Sequence, residues 1–522
     1  MRTFTTDGPC DVEAHYVLPS APRLAEARSL IDRGAYFILH APDRTGKTTA
    51  LSALAAELTA QGSHAALLCS AKVAGSAHGD VVSAQNALLC AITIAAEQHL
   101  PPALRPPPFS PSGELTRIWE SLSHWAQVCP LPIVLFFDDL DSLAAVTLEN
   151  LLQQLETGFL RRPKLFPWAV GLVSRLDLRR NRLSEDDDSA DVHATGPFES
   201  FWSSRLLSPF TVEEIRALYA QHFGTLDQAF VPELPDLVHD LTAGHPFFVQ
   251  ALGRELAAMA VSTKRLTNAD LAVAHRKLVA RQISPVDDLT VRLAEPRVRR
   301  VLESVFSGTA AIASVAESDI QFVRDLGLLA HDEPVRIADA FHKALVPRLL
   351  TKPALRMNMV DVAACFDEQG KLVLQSALSA FAAFYTTHGT DLVAAMPYPK
   401  IAEELVFLGF LLQLAEGRGW VDVEYGPARG RIDITMTISL PKSSEESNVD
   451  QREVFVMVAR RKGESGSKKH GMQWLEGALQ QAPHTSGTLV IVDKRGKRSS
   501  EKNFKWRESV TEAGKTVRLL RI

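Results

Sequence analysis

The sequence predicts an α/β protein of several domains, and three observations support that prediction. From residue 35 onward, short apolar runs alternate with amphipathic stretches, which is typical of a parallel sheet whose strands are joined by helices. A loop of the form A-x-x-x-x-G-K-T separates the first apolar run from the first amphipathic stretch. The chain has 522 residues, of which 46% are hydrophobic, so it is long enough for three or four domains with a core each.

Composition argues against a membrane protein. Mean hydropathy is +0.00, and no run of 18 residues is both apolar and uncharged, as a spanning helix requires. The first residues lack the apolar core of a secretory signal, so we expect a cytoplasmic protein without membrane contacts. Its five cysteines have no paired spacing for zinc or for disulfides, and we expect reduced, mainly packing residues. They are Cys10, Cys69, Cys90, Cys129 and Cys365.

Charge is distributed unevenly along the chain. Residues 451–522 carry 16 Lys and Arg against 7 Asp and Glu, whereas residues 1–450 carry 40 against 54. A basic terminal domain can contact the phosphate backbone of DNA or RNA. The alternative is a solvated basic face, because aromatic residues do not interleave with the charges.

The first 200 residues are expected to form the parallel sheet. A proline-rich stretch at 101–112 is expected to be a surface loop, and the acidic stretch at 182–191 a mobile loop. Strands are predicted in the apolar runs at 35–41, 64–71, 132–137 and 167–173, and helices at 47–62, 81–98, 114–127 and 142–156.

The rest of the chain is predicted to be helical first and mixed later. Helices are expected at 210–223, with Thr211 as N-cap, and in a pair at 236–259 that is broken at Gly244 and Pro246. Residues 285–350, with a short strand at 335–339, fit a small winged-helix unit. Further helices are expected at 371–385 and 401–417, and strands at 421–426, 431–438, 453–459 and 487–493.

The loop after the first strand matches the P-loop of nucleotide-binding proteins, with Ala41 in place of the first glycine. Because the loop opens a helix, its backbone amides can face the phosphates of ATP. Lys47 is expected to reach the β- and γ-phosphates and Thr48 to ligate Mg²⁺, while Gly46 leaves room for the phosphate. The residues predicted to bind the nucleotide are Ala41, Pro42, Asp43, Arg44, Thr45, Gly46, Lys47, Thr48 and Thr49.

Paired acids follow the third apolar run, where the carboxyl ends of parallel strands gather ligands. Asp138 is the candidate that holds Mg²⁺ through water, and Asp139 the candidate that orients or deprotonates the attacking water. The alternative for Asp139 and Asp141 is capping of the following helix, which we favour for Asp141. Arg175, after the fourth run, is either a catalytic sensor of the γ-phosphate or a surface ion-pair residue. The Gly244-His245-Pro246 break can place Pro246 against the nucleotide base, or simply mark a helix boundary.

These motifs together resemble the STAND and Orc/Cdc6-like branch of the AAA-type ATPases. The segments GPCDVEAHYVLP, YFILHAPDRTGKTTAL, DLGLL and VEYGPARGRIDI are similar to bacterial AAA-like ATPases with a C-terminal PD-(D/E)XK nuclease-type domain, over nearly the whole chain. The resemblance implies a nucleotide-controlled switch in which a helical lid and a winged helix respond to ATP. It also implies that Gly8-Pro9 and His15-Tyr16 lie near the base, although Tyr16 could be a core residue.

The nuclease motif implied by this resemblance is degenerate. Metal-dependent cleavage in that fold requires an acid on one strand and acid-x-Lys on the next, often with a helical Glu. Asp433 matches the first acid, but Met457 and Ala459 occupy the other two positions. Because Met does not bind hard cations and Ala has no donor, we expect an inactive domain. The helix position that is often Glu in that fold falls on Lys400.

Two routes remain open for that domain. Arg460 or Arg461 could replace the lysine and Glu403 or Glu404 the acid, although Arg is a poor base. Without activity, the domain could still hold DNA or RNA, or dock a protein. The basic residues considered for nucleic acid are Arg429, Arg431, Arg460, Arg461 and Lys462.

The sequence thus predicts a P-loop NTPase core (1–200), a helical lid (201–282), a winged-helix-like unit (283–355) and a degenerate PD-(D/E)XK-like domain (356–522). We expect ATP and Mg²⁺ as ligands and ATP hydrolysis as the reaction. An ATP-gated nuclease and an ATP-holding scaffold without turnover are the alternatives. Oligomers are compatible with the sequence, and Arg161 and Arg162 are adjacent in a loop that could supply an arginine finger.

Overall fold

The computed structural model describes residues 2–19, 22–179, 202–224, 231–260, 265–307, 312–426, 431–438, 451–460, 467–481, 486–493, 505–511 and 514–522. The acidic stretch at 182–191 lies outside these residues. Two compact units share the chain. The first is Met1–Leu278, Pro285–Asp287 and Gln321–Leu329, and the second is Val279–Ser284, Asp288–Ile320 and Ala330–Ile522. The four predicted domains divide the chain more finely, and their boundaries stay predictions. Over the described ranges, no helix has the length and apolar character needed to cross a membrane.

A five-stranded parallel sheet forms the centre of the first unit, in the order β2-β3-β4-β1-β5. The strands are β1 (Tyr36–His40), β2 (Ala65–Ser70), β3 (Ile133–Asp138), β4 (Ala169–Ser174) and β5 (Trp202–Leu206). The predicted runs for β1 to β4 are confirmed, whereas β5 was not predicted. Since β4 pairs with both β1 and β3, its carboxyl end lies between theirs.

Helices cover both faces of this sheet, because successive side chains of a strand point to opposite faces. Phe37 and Leu39 of β1 enter one apolar core with Leu51 and Leu54, whereas Ile38 enters the other. The helices concerned are α1 (Ala25–Asp32), α2 (Lys47–Ala60), α3 (Lys72–Gly75), α4 (Val81–His99), α5 (Arg117–Val128) and α6 (Ala145–Phe159). Single 3-10 turns occupy Pro102–Leu104 and Leu140–Ser142.

The expected helical stretch follows the sheet in the first unit. Its helices are α7 (Val212–Phe223), α8 (Leu234–Thr242), α9 (Pro246–Met259) and α10 (Asn268–Ala280). Thr211 caps α7 as predicted, in a reciprocal capping box with Glu214. The break between α8 and α9 has a backbone cause, since Gly244 has φ +71 and its carbonyl accepts from Phe210 N at 2.8 Å.

The remaining helices belong mostly to the second unit. They are α11 (Leu289–Ala294), α12 (Pro296–Ser307), α13 (Glu317–Asp325), α14 (Ala340–Leu350), α15 (Lys352–Leu355), α16 (Leu374–Ala394), α17 (Ala402–Ala415) and α18 (Ser467–Gln481), with 3-10 turns at Ala363–Cys365 and Pro399–Ile401. Helix α13 begins in the second unit and ends in the first. Within the short strand predicted at 335–339, the structure has a single β-bridge residue, Ile337, in place of a strand, and Ala330 N donates to Arg336 O at 2.9 Å.

A six-stranded mixed sheet lies in the second unit, in the order β10-β11-β9-β8-β7-β6. Its strands are β6 (Gly419–Gly426), β7 (Arg431–Ile438), β8 (Gln451–Arg460), β9 (Ser486–Asp493), β10 (Lys505–Val510) and β11 (Thr516–Arg521). Helix α18 connects the parallel strands β8 and β9, and it packs Leu475 and Leu479 on Val454 and Val456.

One face of this second sheet buries a charged group. Glu453 on β8 is 4% exposed. Its carboxylate accepts from Ser486 Oγ at 2.5 Å, from Thr488 Oγ1 at 2.6 Å and from Arg518 Nη1 at 3.1 Å. These contacts tie β8, β9 and β11 together, as buried charge requires partners.

Candidate functional site

The loop between β1 and α2 has the backbone geometry that an anion needs. Gly46 adopts a left-handed conformation with φ +83, which is unstrained only for glycine. Its carbonyl accepts from Ala50 N at 2.9 Å, and this bond starts the helix at Lys47. The amides of the first turn of α2 therefore have no helical acceptor, and the positive end of the helix dipole is available to a phosphate.

Two side chains fold back onto this loop. Lys47 Nζ donates to Ala41 O at 2.7 Å and to Pro42 O at 3.0 Å, and Thr45 Oγ1 donates to Pro42 O at 2.8 Å. Burial lowers the pKa of Lys47, while the nearby carboxylates of Asp43, Asp138 and Asp141 act in the opposite direction. Lys47 is thus a partly dehydrated cation poised over the loop.

An acidic pair at the end of β3 faces the start of α2. Thr48 Oγ1 donates to Asp138 Oδ2 at 2.5 Å, and Asp139 N donates to Asp138 Oδ1 at 2.9 Å. Burial raises the pKa of Asp138, and the hydrogen bond from Thr48 lowers it in part. A hydroxyl and a carboxylate at this separation are hard oxygen donors of the kind Mg²⁺ takes beside phosphate oxygens and water.

Asp139 differs from Asp138 in exposure and in backbone. It is exposed, and it has φ +60, a conformation that is uncommon for a residue with a Cβ. Its Oδ2 accepts from Ser70 Oγ at 2.6 Å. Ser70 at the end of β2 thus fixes this carboxylate, and nothing in the sequence pattern pointed to it.

The end of β4 contacts both the loop between β1 and α2 and the segment after β3. Arg175 Nη1 contacts Asp43 Oδ2 at 3.2 Å, and Arg175 N donates to Asp141 Oδ2 at 2.6 Å. The expectation that Asp141 caps the next helix is wrong. Helix α6 has Ala144 as N-cap without a side-chain bond, because the carboxylate of Asp141 is engaged by the amide of Arg175.

The residues from Asp43 to Thr49, together with Asp138 and Asp139, line a cleft of about 1030 Å³. The lining also includes Pro246 at the start of α9 together with Phe247 and Gln250, so the predicted Pro246 does face the cleft. The N-terminal segment contributes Gly8, Pro9 and Cys10, among other residues. Cys10 N donates to Thr49 Oγ1 at 3.1 Å, which attaches this segment to α2.

Sequence reasoning did not find Arg23, which also lines the cleft. Its Nη2 donates to Thr45 O at 3.1 Å and to Ser208 O at 2.6 Å. The guanidinium also lies 4.8 Å from the centroid of the Phe210 ring. Because these partners are backbone carbonyls and a ring far away in sequence, no spacing around Arg23 could have revealed them.

The other residues considered near the base or for catalysis have structural contacts. Tyr16 is buried beside Phe4, with ring centroids 4.8 Å apart, which agrees with the core alternative. His15 Nδ1 accepts from Asp11 N at 3.0 Å. Arg162 donates to Gly34 O and Trp168 O, which precede β1 and β4, at the sheet edge opposite the loop. Arg161 stacks on Trp119 at 5.2 Å.

The cysteines behave only partly as expected. Cys69 and Cys365 are buried, whereas Cys10 and Cys129 are partly exposed and Cys90 is exposed. Burial raises the pKa of the Cys10 thiol.

The predicted nuclease positions lie on neighbouring strands of the second unit. Asp433 on β7 pairs in register with Val456 on β8, next to Met457, and Ala459 is two residues farther along β8. The side chains of Asp433, Met457 and Ala459 lie outside what the structure describes, as do those of Arg429, Arg431, Arg460, Arg461 and Lys462. Lys400 N donates to Glu303 Oε1 at 2.8 Å, and Glu403 is buried.

Comparisons with known proteins give distant similarities of fold. No protein-family model and no curated protein sequence matches this chain. Among solved structures, the Walker-type ATPase PABY2304 of Pyrococcus abyssi is 15% identical, with a TM-score of 0.46 over 66% of this chain and 99% of that one. The Thermotoga maritima RuvB Holliday junction branch migration motor is 17% identical, with a TM-score of 0.31 over 61% and 90%. Cdc6p from Pyrobaculum aerophilum is 14% identical, with a TM-score of 0.32 over 63% and 91%. The functional interpretation therefore rests on contacts within this chain.

Proposed function

We propose that this chain binds ATP with Mg²⁺ in the cleft of its first unit and hydrolyses it. The observation that carries the proposal is the contact of Thr48 with Asp138 at 2.5 Å, directly after the left-handed Gly46. This contact brings two hard oxygen donors to the positive end of α2, where terminal phosphates of a nucleotide would lie.

The residues of the cleft divide the chemistry among them. The amides at the start of α2 and Lys47 hold the phosphates and offset charge that develops on the γ-phosphate. Thr48 and, through water, Asp138 would hold Mg²⁺, which supplies further charge neutralisation when bound. Asp139, fixed by Ser70, orients a water for in-line attack on the γ-phosphate and accepts its proton. The products are ADP and inorganic phosphate.

The same geometry supports a nucleotide-controlled switch. Arg175 is attached to the phosphate loop through Asp43 and to the segment after β3 through Asp141. Loss of the γ-phosphate would therefore alter contacts on two elements at once. Pro246 and Phe247 at the start of α9 line the cleft, so we infer that the base packs there and that the helical lid responds to the nucleotide.

The test is nucleotide binding and turnover by purified protein in the presence of Mg²⁺. We expect saturable ATP binding by the wild type, weakened by about 100-fold or more in Lys47→Ala because charge-assisted contacts to phosphate are lost. Lys72→Ala is the matched control, since Lys72 also lines the cleft but lies on α3 and is exposed.

Turnover separates hydrolysis from mere retention of ATP. We expect Asp139→Asn to keep ATP binding and to lower steady-state phosphate release by about 100-fold or more. Absence of saturable ATP affinity in the wild type, or undiminished affinity in Lys47→Ala, would contradict the proposal. Binding of ATP without any release of phosphate would instead support a scaffold that holds ATP without turnover.

For the second unit we propose a nuclease-like domain that does not cleave and instead binds nucleic acid or protein. The support is the register of β7 and β8, which sets Asp433 beside a strand carrying Met457 and Ala459 where the acid and lysine would be. We expect no metal-dependent nicking of plasmid DNA, with or without ATP. Nicking that disappears in Asp433→Ala would instead establish an ATP-gated nuclease.

A further inference from the structure

The loop between β1 and α2, called the phosphate loop below, contains a carboxylate that repels the phosphate the loop would bind. Asp43 lies between β1 and Gly46, and it lines the cleft. A negative charge beside amides that attract phosphate repels the same phosphate, all the more where solvent is partly excluded. An acidic residue at this position therefore lowers nucleotide affinity unless a cation compensates for it.

Arg175 is the cation that forms an ion pair with this carboxylate. Its Nη1 lies 3.2 Å from Asp43 Oδ2, and the two side chains are 20% and 24% exposed. Such partial burial makes the attraction stronger than in an exposed pair. Arg175 is not among the residues that line the cleft, so in this structure it reaches the cleft only through Asp43.

We propose that Asp43 occupies Arg175 in place of the γ-phosphate, and that it thereby sets the preference of the site for nucleoside triphosphate over diphosphate. This inference rests on the proposed function of the cleft. With a diphosphate bound, the Asp43 to Arg175 pair persists. With a triphosphate bound, the guanidinium of Arg175 pairs with the terminal phosphate and Asp43 turns toward solvent. Breaking the Asp43 to Arg175 pair therefore weakens the binding of triphosphate and leaves the binding of diphosphate unchanged.

The neighbouring residue supplies a matched control. Arg44 pairs with Asp287 at 3.1 Å, with side chains that are 41% and 72% exposed. Asp287→Asn removes the same charge from an ion pair of the same loop. However, this pair does not involve Arg175, and its exposure makes it weaker.

The experiment measures Kd for ADP and for a non-hydrolysable ATP analogue, both with Mg²⁺, in a double-mutant cycle. We expect Asp43→Asn to raise the ratio of the ADP Kd to the analogue Kd by about three- to tenfold, as for release of one partly buried ion pair. Arg175→Gln should lower the ratio. In the Arg175→Gln background, Asp43→Asn should change the ratio by less than about twofold, and Asp287→Asn should leave it unchanged.

Two results would overturn the inference. The first is an unchanged or lower ratio in Asp43→Asn. The second is an equal increase with and without Arg175, which would mean that Asp43 acts by its charge alone. Failure of the proposed function looks different, since the wild type would then show no saturable binding of either nucleotide.

Discussion

Among single residues, Asp139 shows how local strain and a distant partner combine. Its left-handed backbone costs about 1 kcal/mol for a residue with a Cβ, and the hydroxyl of Ser70 holds its carboxylate in one orientation. A base that is held in this way needs less reorganisation when it accepts a proton from water.

Replacement of Ser70 by alanine is therefore expected to impair turnover and spare binding. We expect Ser70→Ala to lower kcat for phosphate release by about tenfold while the Kd for ATP changes by less than about twofold. Ser52→Ala is the control, because Ser52 lines the same cleft and is exposed on α2. Equal turnover in Ser70→Ala and wild type would show that the tether has no catalytic role.

The residues of the site were predictable to the extent that they form local patterns. The loop from Ala41 to Thr49 and the acids after β3 follow from strand ends and helix starts, which are short-range features. Arg23 and Ser70 could not be predicted, since each acts through contacts that only the folded chain brings near. The prediction that Asp141 caps a helix was wrong because its carboxylate accepts from the amide of Arg175, a contact that sequence spacing does not indicate.

At the level of elements, the turn between α8 and α9 depends on a close backbone approach. A Cβ on Gly244 would lie 2.1 Å from Phe210 O, and the positive φ adds strain. We expect Gly244→Ala to lower the free energy of unfolding by about 3 kcal/mol or more. The measurement is urea unfolding.

Gly62→Ala provides the control for that prediction. Gly62 also has positive φ, but no atom lies within 4 Å of the position that an added methyl group would take, so only about 1 kcal/mol should be lost. Similar losses in the two variants would show that the contact with Phe210 is not limiting.

The second sheet gives a prediction of pH dependence. Burial raises the pKa of Glu453, against hydrogen bonds from Ser486, Thr488 and Arg518 that lower it. Just above the ordinary pKa of a glutamate, the folded state therefore keeps a proton that the unfolded chain has released. The stabilising contribution of this carboxyl is largest below its ordinary pKa, and it decreases as pH rises through the folded pKa.

Glu453→Gln removes this titration. We expect the difference in unfolding free energy between wild type and variant to shrink as pH rises above about 4, the ordinary pKa of a glutamate. Urea unfolding across that range measures it. Glu508→Gln removes an exposed carboxylate that contacts the same guanidinium and should cost less than about 1 kcal/mol. A difference that grows with pH would contradict the expected direction.

Strand prediction succeeded for continuous apolar runs and for the alternating runs of β6 and β7, and it failed for strands that are rich in polar residues without that alternation. Strands β1 and β3 are buried along their whole length, and the sequence therefore marks them clearly. Strand β5 contains two serines and an arginine, β10 contains three charged residues and β11 contains two arginines. Pairing through backbone hydrogen bonds tolerates such side chains, so their composition gives no signal.

For the whole molecule, the segment Gln321–Leu329 belongs to the unit that holds the cleft. A Cβ on Gly327 would lie 2.8 Å from Pro42 Cβ, so this segment packs directly on the phosphate loop. In the same segment, Asp325 Oδ2 accepts from Asp177 N at 3.1 Å. This bond attaches the segment to the chain after β4.

Nucleotide binding is therefore expected to protect residues 321–329 from hydrogen exchange together with the loop at 41–49. Rigidifying the loop should slow opening of whatever packs on it. Exchange monitored by mass spectrometry, with and without ATP and Mg²⁺, measures this effect, and Lys47→Ala should show neither change. Protection of the loop without protection of 321–329 would exclude the coupling.

The contact between Gly327 and Pro42 also limits how the protein can be dissected. The polypeptide crosses between the two units five times, the last return to the first unit being Gln321–Leu329. An excised fragment that stops at Leu278 would lack Gly327, which packs on Pro42. It would also lack the carboxylate of Asp325, which accepts from the amide of Asp177. A gene fragment meant to reproduce the nucleotide cleft must therefore extend to Leu329, although the strands that build it are complete more than a hundred codons earlier.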